Sequence, residues 1–277
     1  MLKRACGFLT KLWIIAYLTS SPLAHAQEEQ ADIVWGINNS PPFHIVDGYF
    51  AKQGVCDAMI AAFQRALPEA KHEIVNYPQA RIGALLSQGQ NVCYPCLIRH
   101  GVETDLIEYS ATVFEYPPHG IITRKELAEE WRTKFGDPVD LVELLKTRKY
   151  RFGQPVTRLY GNLQPYIERF LHKTSRYSEI SGRDAHANLL AMISAGRLDF
   201  TIDYPMLLNY HNQVLPIDLV FLPIEQNQGE TVEGAVGCPT TTWGKRAIDM
   251  INGAIPAVVA DEQFNTTKDR WLLPQIP

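Results

Sequence analysis

Strand-like and helix-like segments alternate along residues 27–277, and this alternation favours an α/β architecture. Residues Ile33–Ile37 form a compact β-rich run, which predicts the first strand. Apolar residues recur at helical spacing from Val55 to Leu67, and Pro68 is expected to end that helix. The same patterns then predict a strand at 73–77, a helix at 80–87 and a strand at 92–98.

The second half of the chain follows the same order. Asp137 and Pro138 predict a helix start, with Asp as the cap and Pro at the first helical position. Further along, we expect strands at 150–156, 198–203 and 219–224, and helices at 162–172, 185–195, 244–260 and near Trp271.

Two short segments, ALLSQG at 84–89 and AMISAG at 191–196, share the order helix end, glycine, strand, which indicates two related lobes. Two β-rich stretches, 112–123 and 231–238, predict extended crossovers between these lobes. Two connecting strands form a hinge. We therefore expect lobe 1 at 27–114 plus 236–277, lobe 2 at 120–230, and hinge crossovers at 115–119 and 231–235.

The first 26 residues have the pattern of a secretory signal peptide. Lys3 and Arg4 precede a short apolar core, Leu12–Leu18, and Ala24 and Ala26 suit a cleavage site after Ala26. The core is too short to span a bilayer, although an uncleaved anchor is the alternative. The expected location is the periplasm.

Charge and motifs exclude several functions. The chain carries a net charge of −4 and no basic run, so we expect no nucleic-acid partner. No phosphate-binding loop, serine-hydrolase elbow or zinc-protease motif is present, and we expect no cofactor and no metal. His44, His119 and His186 lie near predicted loops, but the sequence shows no acid or nucleophile that would partner them.

Four cysteines follow the signal peptide, and an exported protein can pair them in three complete ways. Cys93 and Cys96 have thioredoxin spacing, yet they fall in or just after a strand, whereas a redox motif opens a helix. Cys93 and Cys238 both lie on predicted strands and form a candidate pair. Buried free thiols are the alternative.

A series of loose motifs occurs in a specific order. The series comprises Ser40–Phe43 after the first strand, Tyr109–Ser110, GIITRK at 120–125 and LDFTIDYP at 198–205. In these features the chain resembles bacterial extracellular solute-binding protein family 3, which includes the polar amino-acid binders of ABC importers, and it resembles a divergent branch. The resemblance implies a two-lobed type II periplasmic-binding-protein-like fold that closes on one small solute.

The resemblance also implies a ligand set. Phe43 would pack on the ligand, Asp203 would receive an ammonium group, and Arg158 with the Thr157 hydroxyl would hold a carboxylate. The alternatives are a core aromatic, a helix cap and a surface arginine. The complete expected set is Phe43, Tyr94, Arg99, Thr157, Arg158, Tyr160, Asp203 and Tyr204.

One departure concerns the ligand's carboxylate. Where the amino-acid binders carry an arginine after the strand at 92–98, this chain has Glu103, and Arg99 and His100 come earlier in the loop. Either Arg99 substitutes, or the ligand is not a standard α-amino acid. We expect a monomeric, non-enzymatic binder that delivers a small polar solute to an ABC permease. The alternatives are a dehydratase-like enzyme and a ligand-sensing partner of a membrane receptor.

Overall fold

The computed structural model describes residues 31–99, 105–156, 158–182, 184–214 and 217–272. The predicted signal peptide, Thr157, His100 and Glu103 lie outside these residues. Among the described residues, no helix has the length and apolar content needed to cross a bilayer.

The two ends of the described chain together build two small sheets. Strand β1 (Ile33–Ile37) pairs in parallel with β2 (His72–Asn76). A long strand, β11 (Val232–Pro239), pairs antiparallel with three short strands: β3 (Tyr94–Ile98), β4 (Ile107–Tyr109) and β5 (Phe114–Tyr116). The helices here are α1 (Val55–Ala66), α2 (Gln79–Ser87), α8 (Thr242–Val259) and α9 (Glu262–Leu272).

The middle of the chain forms a five-stranded sheet in the order β10-β6-β9-β7-β8. Its strands are β6 (Gly120–Arg124), β7 (Phe152–Pro155), β8 (Tyr177–Ile180), β9 (Phe200–Asp203) and β10 (Leu219–Pro223). Its helices are α3 (Lys125–Phe135), α4 (Leu141–Lys146), α5 (Gln164–Phe170), α6 (Ala185–Ser194) and α7 (Pro205–Val214).

Each group of elements has a core, and the core of the first group also includes Tyr204 and Met206 from the second group. One large cluster surrounds Trp35, Phe63 and Trp271 in the first group. The five-stranded sheet is covered on both faces, since Phe152 belongs to one cluster and Ile122 to another. This is the two-lobed α/β architecture that the sequence predicts. The residue limits of the lobes and hinge crossovers remain a prediction.

The paired segments at 84–89 and 191–196 have the same backbone geometry. Gly89 and Gly196 follow the ends of α2 and α6 with φ values of +70° and +68°. Only glycine enters this left-handed region without a steric penalty, so each glycine turns the chain from helix to strand.

The predicted helix start at Asp137–Pro138 is wrong. Helix α4 begins at Leu141, and Asp140 is its cap, because the Asp140 side chain accepts a 3.0 Å hydrogen bond from the Glu143 backbone N–H. Asp137 instead forms a 3.1 Å ion pair with Arg132. The chain offers two acids three residues apart, and Asp140, not Asp137, caps the helix.

The four cysteines form two disulfides, Cys93–Cys238 and Cys56–Cys96. The first joins the residue before β3 to β11, as the candidate pairing proposed. The second joins α1 to β3. Because each cysteine of the 93–96 pair bonds to a different element, this motif is structural here.

Candidate functional site

Three aromatic rings from separate parts of the chain meet at the carboxyl ends of the strands. We call Phe43, Tyr116 and Tyr204 the aromatic cluster. The Phe43 ring centroid lies 5.6 Å from that of Tyr116 and 6.1 Å from that of Tyr204, and the two tyrosine rings are 5.6 Å apart. The two Phe43 contacts are edge-to-face, and such contacts are favourable beyond the area that they bury. The cluster joins the loop after β1 to the end of β5 and the residue after β9.

Backbone contacts hold Phe43 in this position. The Cys56 N–H donates a 2.9 Å hydrogen bond to the Phe43 carbonyl, and the Val55 N–H donates to the Pro42 carbonyl at 3.0 Å. Gly54 permits this approach, because a Cβ there would lie 2.2 Å from the Phe43 carbonyl oxygen. The first turn of α1 therefore positions the aromatic side chain.

A buried ion pair lies against the cluster. Asp203 is 1% exposed at the end of β9, and its Oδ1 accepts a hydrogen bond from Arg158 Nη2. The guanidinium also lies 5.1 Å from the Tyr204 ring centroid, a cation–π distance. Burial is the largest single effect and would lower the pKa of Arg158, but Asp203, Tyr204 and Tyr160 together raise it more, so the net direction is upward. Arg158 is thus a fixed cation with a fixed counter-charge.

Two histidines complete this ionic group. His119 Nε2 lies 3.3 Å from Arg158 Nη2, and its ring is 4.1 Å from that of Tyr204. His186 Nε2 lies 3.5 Å from Asp203 Oδ2. Burial lowers the pKa of His186, and Asp203 opposes this only in part. His186 is therefore neutral near pH 7.

A third histidine has a carboxylate partner that the sequence did not reveal. His44 is fully buried, and its Nδ1 lies 2.7 Å from Asp57 Oδ1. Asp57 also accepts hydrogen bonds from the backbone N–H groups of Ile45 and Gly54. The pair therefore braces the loop that carries Phe43.

The structure places some of the remaining expected residues beside the aromatic cluster and others away from it. Tyr160 is buried with its ring 5.6 Å from His119. Tyr94 donates a 2.9 Å hydrogen bond to Asn38 Oδ1 and lies next to His44. Arg99 contacts Glu233 at 3.3 Å and the Ser110 carbonyl, so its charge is already matched outside the aromatic cluster. Phe43, Arg158, Tyr160, Asp203 and Tyr204 thus converge, whereas Arg99 does not join them.

Sequence reasoning missed two members of this region, Tyr116 and His119. Both lie in the stretch 112–123, which the sequence marked as a crossover without assigning ligand contacts to it. The sequence feature that could have identified them is that Tyr116 and His119 flank Pro117–Pro118, at the predicted junction of the lobes.

Four buried polar atoms of the converging residues lack a hydrogen-bond partner within the described part of the chain: Arg158 Nε, Tyr160 Oη, Asp203 Oδ2 and Tyr204 Oη. Buried donors and acceptors are nearly always paired in native proteins, because an unpaired one costs about 1–3 kcal/mol. The site therefore has capacity for a polar molecule.

Comparison with known proteins places this geometry in a known fold. No known family profile and no curated protein matches the sequence. Solved structures do match. One is a putative L-cystine ABC transporter protein from Listeria monocytogenes, with a TM-score of 0.65 and 12% identity over 87% of this chain and 95% of that one. The fold is that of a periplasmic solute-binding protein.

Other structures with the periplasmic-binding-protein fold have different roles. A histidine kinase sensor domain matches with a TM-score of 0.65 and 14% identity, over 90% of this chain and 98% of that one. An ancestral amino-acid-binding protein, described as a precursor of cyclohexadienyl dehydratase, matches with a TM-score of 0.63 and 13% identity, over 87% of this chain and 94% of that one. The fold alone is therefore compatible with transport, sensing and catalysis.

Within this periplasmic-binding-protein fold, the converging residues follow strand ends. Phe43 comes after β1, Arg158 after β7, and Asp203 ends β9. Open α/β sheets bind ligands at the carboxyl ends of their strands. The aromatic cluster and the Arg158–Asp203 pair are thus the candidate ligand site.

Proposed function

We propose that this protein is a periplasmic solute-binding protein that closes on one small polar solute, amino-acid-like or related, and delivers it to an ABC-type importer. The observation that carries the proposal is the meeting of Phe43, from the first group of elements, with Tyr204 and the Arg158–Asp203 pair of the second. Proteins with the same fold include the substrate binding protein of an amino acid ABC transporter and a putative L-cystine ABC transporter protein.

The charges of the site suit a solute that carries both signs. Asp203 would accept hydrogen bonds from a cationic group, and Arg158 would donate to an anionic one. The aromatic cluster would form the wall around the apolar part of the solute. Of the other expected residues, Tyr94, Thr157 and Tyr160 remain proposed members of the ligand set, whereas Arg99 contacts Glu233 and the Ser110 carbonyl outside it.

Entry of the solute requires the two groups of elements to separate. Tyr116, Asp203 and Tyr204 are each 1% exposed, so they are closed to solvent in this conformation. Opening would bend the chain at the predicted crossovers, and a solute that contacts both groups would stabilise the closed state. The permease would read that closed state. In this proposal the protein is a monomer, exported by its signal peptide.

A thermal-shift screen tests the proposal. We would measure melting of the mature protein, residues 27–277, with amino acids, opines, polyamines and small organic acids. A solute at one hundred times its Kd stabilises the folded state by about 2.7 kcal/mol, which is easily resolved. The affinity of the hit should fall at least tenfold in Phe43→Ala and Asp203→Asn.

The matched control is Asp218→Asn, which removes the same charge from an exposed position. It should bind the solute like the wild type. The proposal is overturned if no solute raises the melting temperature, or if the hit binds Phe43→Ala and Asp203→Asn unchanged. Uptake of the labelled hit by cells with and without the gene then tests delivery to an importer.

A second candidate function is acid–base catalysis in the same cleft. It is favoured by the contacts of His186 with Asp203 and of His44 with Asp57, because a histidine held by a carboxylate can move protons. Incubation of each screened compound with the protein, followed by mass spectrometry, separates the candidates. Turnover that His186→Gln abolishes would establish the enzyme, whereas a bound but unchanged compound supports the binder.

A further inference from the structure

A second concave site lies on the flank of the five-stranded sheet. Strands β7 and β8 pair in parallel, and the register places Gln154 opposite Glu179 and Phe152 opposite Tyr177. These side chains share one face of the sheet, where α5 packs. Between α5 and the edge strand β8 an open pocket of about 390 Å³ remains. We call it the flank pocket. Its lining is Gln154, Arg158, Leu159, Gln164, Ile167, Glu168, His172, Tyr177 and Glu179.

The carboxylates of the flank pocket are not neutralised. Tyr177 donates a 2.9 Å hydrogen bond to Glu179, and Gln164 donates a 3.0 Å bond to Glu168. Within the described chain, neither carboxylate forms an ion pair with lysine, arginine or histidine. Burial first, and then Glu179, raise the pKa of Tyr177 to about 12, so Tyr177 remains a donor.

Gln154 gives an independent indication of a ligand. Its side chain is 4% exposed, yet its Oε1 has no hydrogen-bond partner in the described part of the chain. Its Nε2 donates to the Arg158 carbonyl at 3.3 Å, which fixes the amide so that Oε1 is free to accept. A buried acceptor without a donor is costly, and a ligand N–H would satisfy it.

The remaining lining suits an apolar stem. Ile167, Leu159 and the Tyr177 ring offer carbon surface, and a tyrosine face also attracts cations. Arg158 reaches the pocket, but its charge is matched by Asp203. The excess charge of the lining is therefore negative.

We propose that the flank pocket is a second binding site, which takes a small organic cation, a guanidinium or primary amine on a short apolar chain. The cationic head would contact Glu168 and Glu179 and donate a hydrogen bond to Gln154 Oε1. The flank pocket borders the candidate solute site at Arg158, but Glu168, Glu179 and Gln154 do not belong to that site, and the proposal stands whether or not the proposed function is correct.

Calorimetric titration with butylguanidinium tests the proposal, with butylurea as the neutral analogue of the same shape. We expect butylguanidinium to bind at least tenfold more tightly than butylurea. Glu179→Gln, Glu168→Gln and Gln154→Leu should each weaken binding, about tenfold for either glutamate. Raising the salt concentration should weaken it further, because the contacts at this open pocket are ionic.

Two variants serve as controls. Glu129→Gln makes the same change on the exposed surface of α3 and should bind butylguanidinium like the wild type. Phe43→Ala disrupts the aromatic cluster and should also leave this binding unchanged. Circular dichroism and melting curves verify that each variant is folded.

The proposal is overturned by any of three results. The first is that butylguanidinium does not bind the wild type. The second is that it binds Glu179→Gln and Glu168→Gln as tightly as the wild type. The third is that Phe43→Ala abolishes its binding. The last result would place the cation at the candidate solute site instead.

Discussion

Replacement of Asp203 by asparagine tests the ionic basis of the candidate solute site. The substitution keeps the size of the side chain, and its Oδ1 can still accept the 2.8 Å hydrogen bond from the Tyr204 N–H. It removes the counter-charge of Arg158, whose side chain is only 19% exposed. Loss of one partner of a buried ion pair costs about 3–5 kcal/mol, since the other charge stays buried.

We expect the lower end of that range, about 3 kcal/mol, because Arg158 retains some contact with solvent. The assay is equilibrium unfolding in urea at pH 7, followed by tryptophan fluorescence. For a chain of this size, 3 kcal/mol lowers the urea midpoint by about 1 M. The exposed control Asp218→Asn should leave the midpoint nearly unchanged.

A double variant decides whether the ion pair is the cause. Arg158→Met removes the cation and leaves an apolar side chain. The double variant that carries both Arg158→Met and Asp203→Asn should therefore be more stable than the Asp203→Asn single variant. The reasoning is refuted if Asp203→Asn costs less than about 1 kcal/mol, or if the two substitutions simply add.

Three further predictions concern stability. Burial, and then repulsion from His186 when that residue is protonated, lower the pKa of His211 to about 4. Between pH 6.5 and 4 the unfolded chain therefore binds a proton at His211 that the folded chain does not bind. Stability should fall on acidification through this window, and should fall less in His211→Gln, as measured by urea unfolding at pH 7 and pH 5. Asp57→Asn replaces a charged acceptor of the Ile45 and Gly54 N–H groups by a weaker neutral amide oxygen and should cost about 2 kcal/mol, whereas exposed Asp249→Asn should cost almost nothing; equal midpoints would contradict this. Replacing Cys93 and Cys238 by alanine should destabilise the protein more than replacing Cys56 and Cys96, and each loss should be about 2–5 kcal/mol. The reason is that the first bond closes a loop of 145 residues and the second a loop of 40. Equal melting temperatures for the two double variants would argue against a loop-entropy origin.

Local pattern predicted much of the fold. β1 occurs at the residues expected, and the glycines at 89 and 196 end their helices as the paired segments indicated. These features depend on neighbouring residues alone. Helix α3 was not predicted, because KELAEEWRTKF is mostly charged and places only Ala128 and Trp131 in the core. Its helical stripe is too sparse to stand out.

The candidate site shows where sequence reasoning stops. Phe43, Arg158 and Asp203 were identified through the resemblance, and the structure brings them together. The partner of His44 could not be read from the chain, because Asp57 lies 13 residues away and reaches it only when α1 folds back on the loop. The counter-charge of Arg99 is Glu233, from a distant strand. Pairings of this kind depend on tertiary contacts.

The two disulfides also bear on motion. Cys93, just before β3, is bonded to Cys238 near the end of β11, and Cys96 on β3 is bonded to Cys56 on α1. Because Cys238 is bonded to Cys93, the proposed hinge motion would bend the chain near Val232, where β11 enters the sheet. Reduction of the Cys93–Cys238 disulfide would allow bending along the whole of β11. In an oxidising compartment the proposed motion would therefore use a short bending segment, and in a reducing compartment it would use a longer and more flexible one.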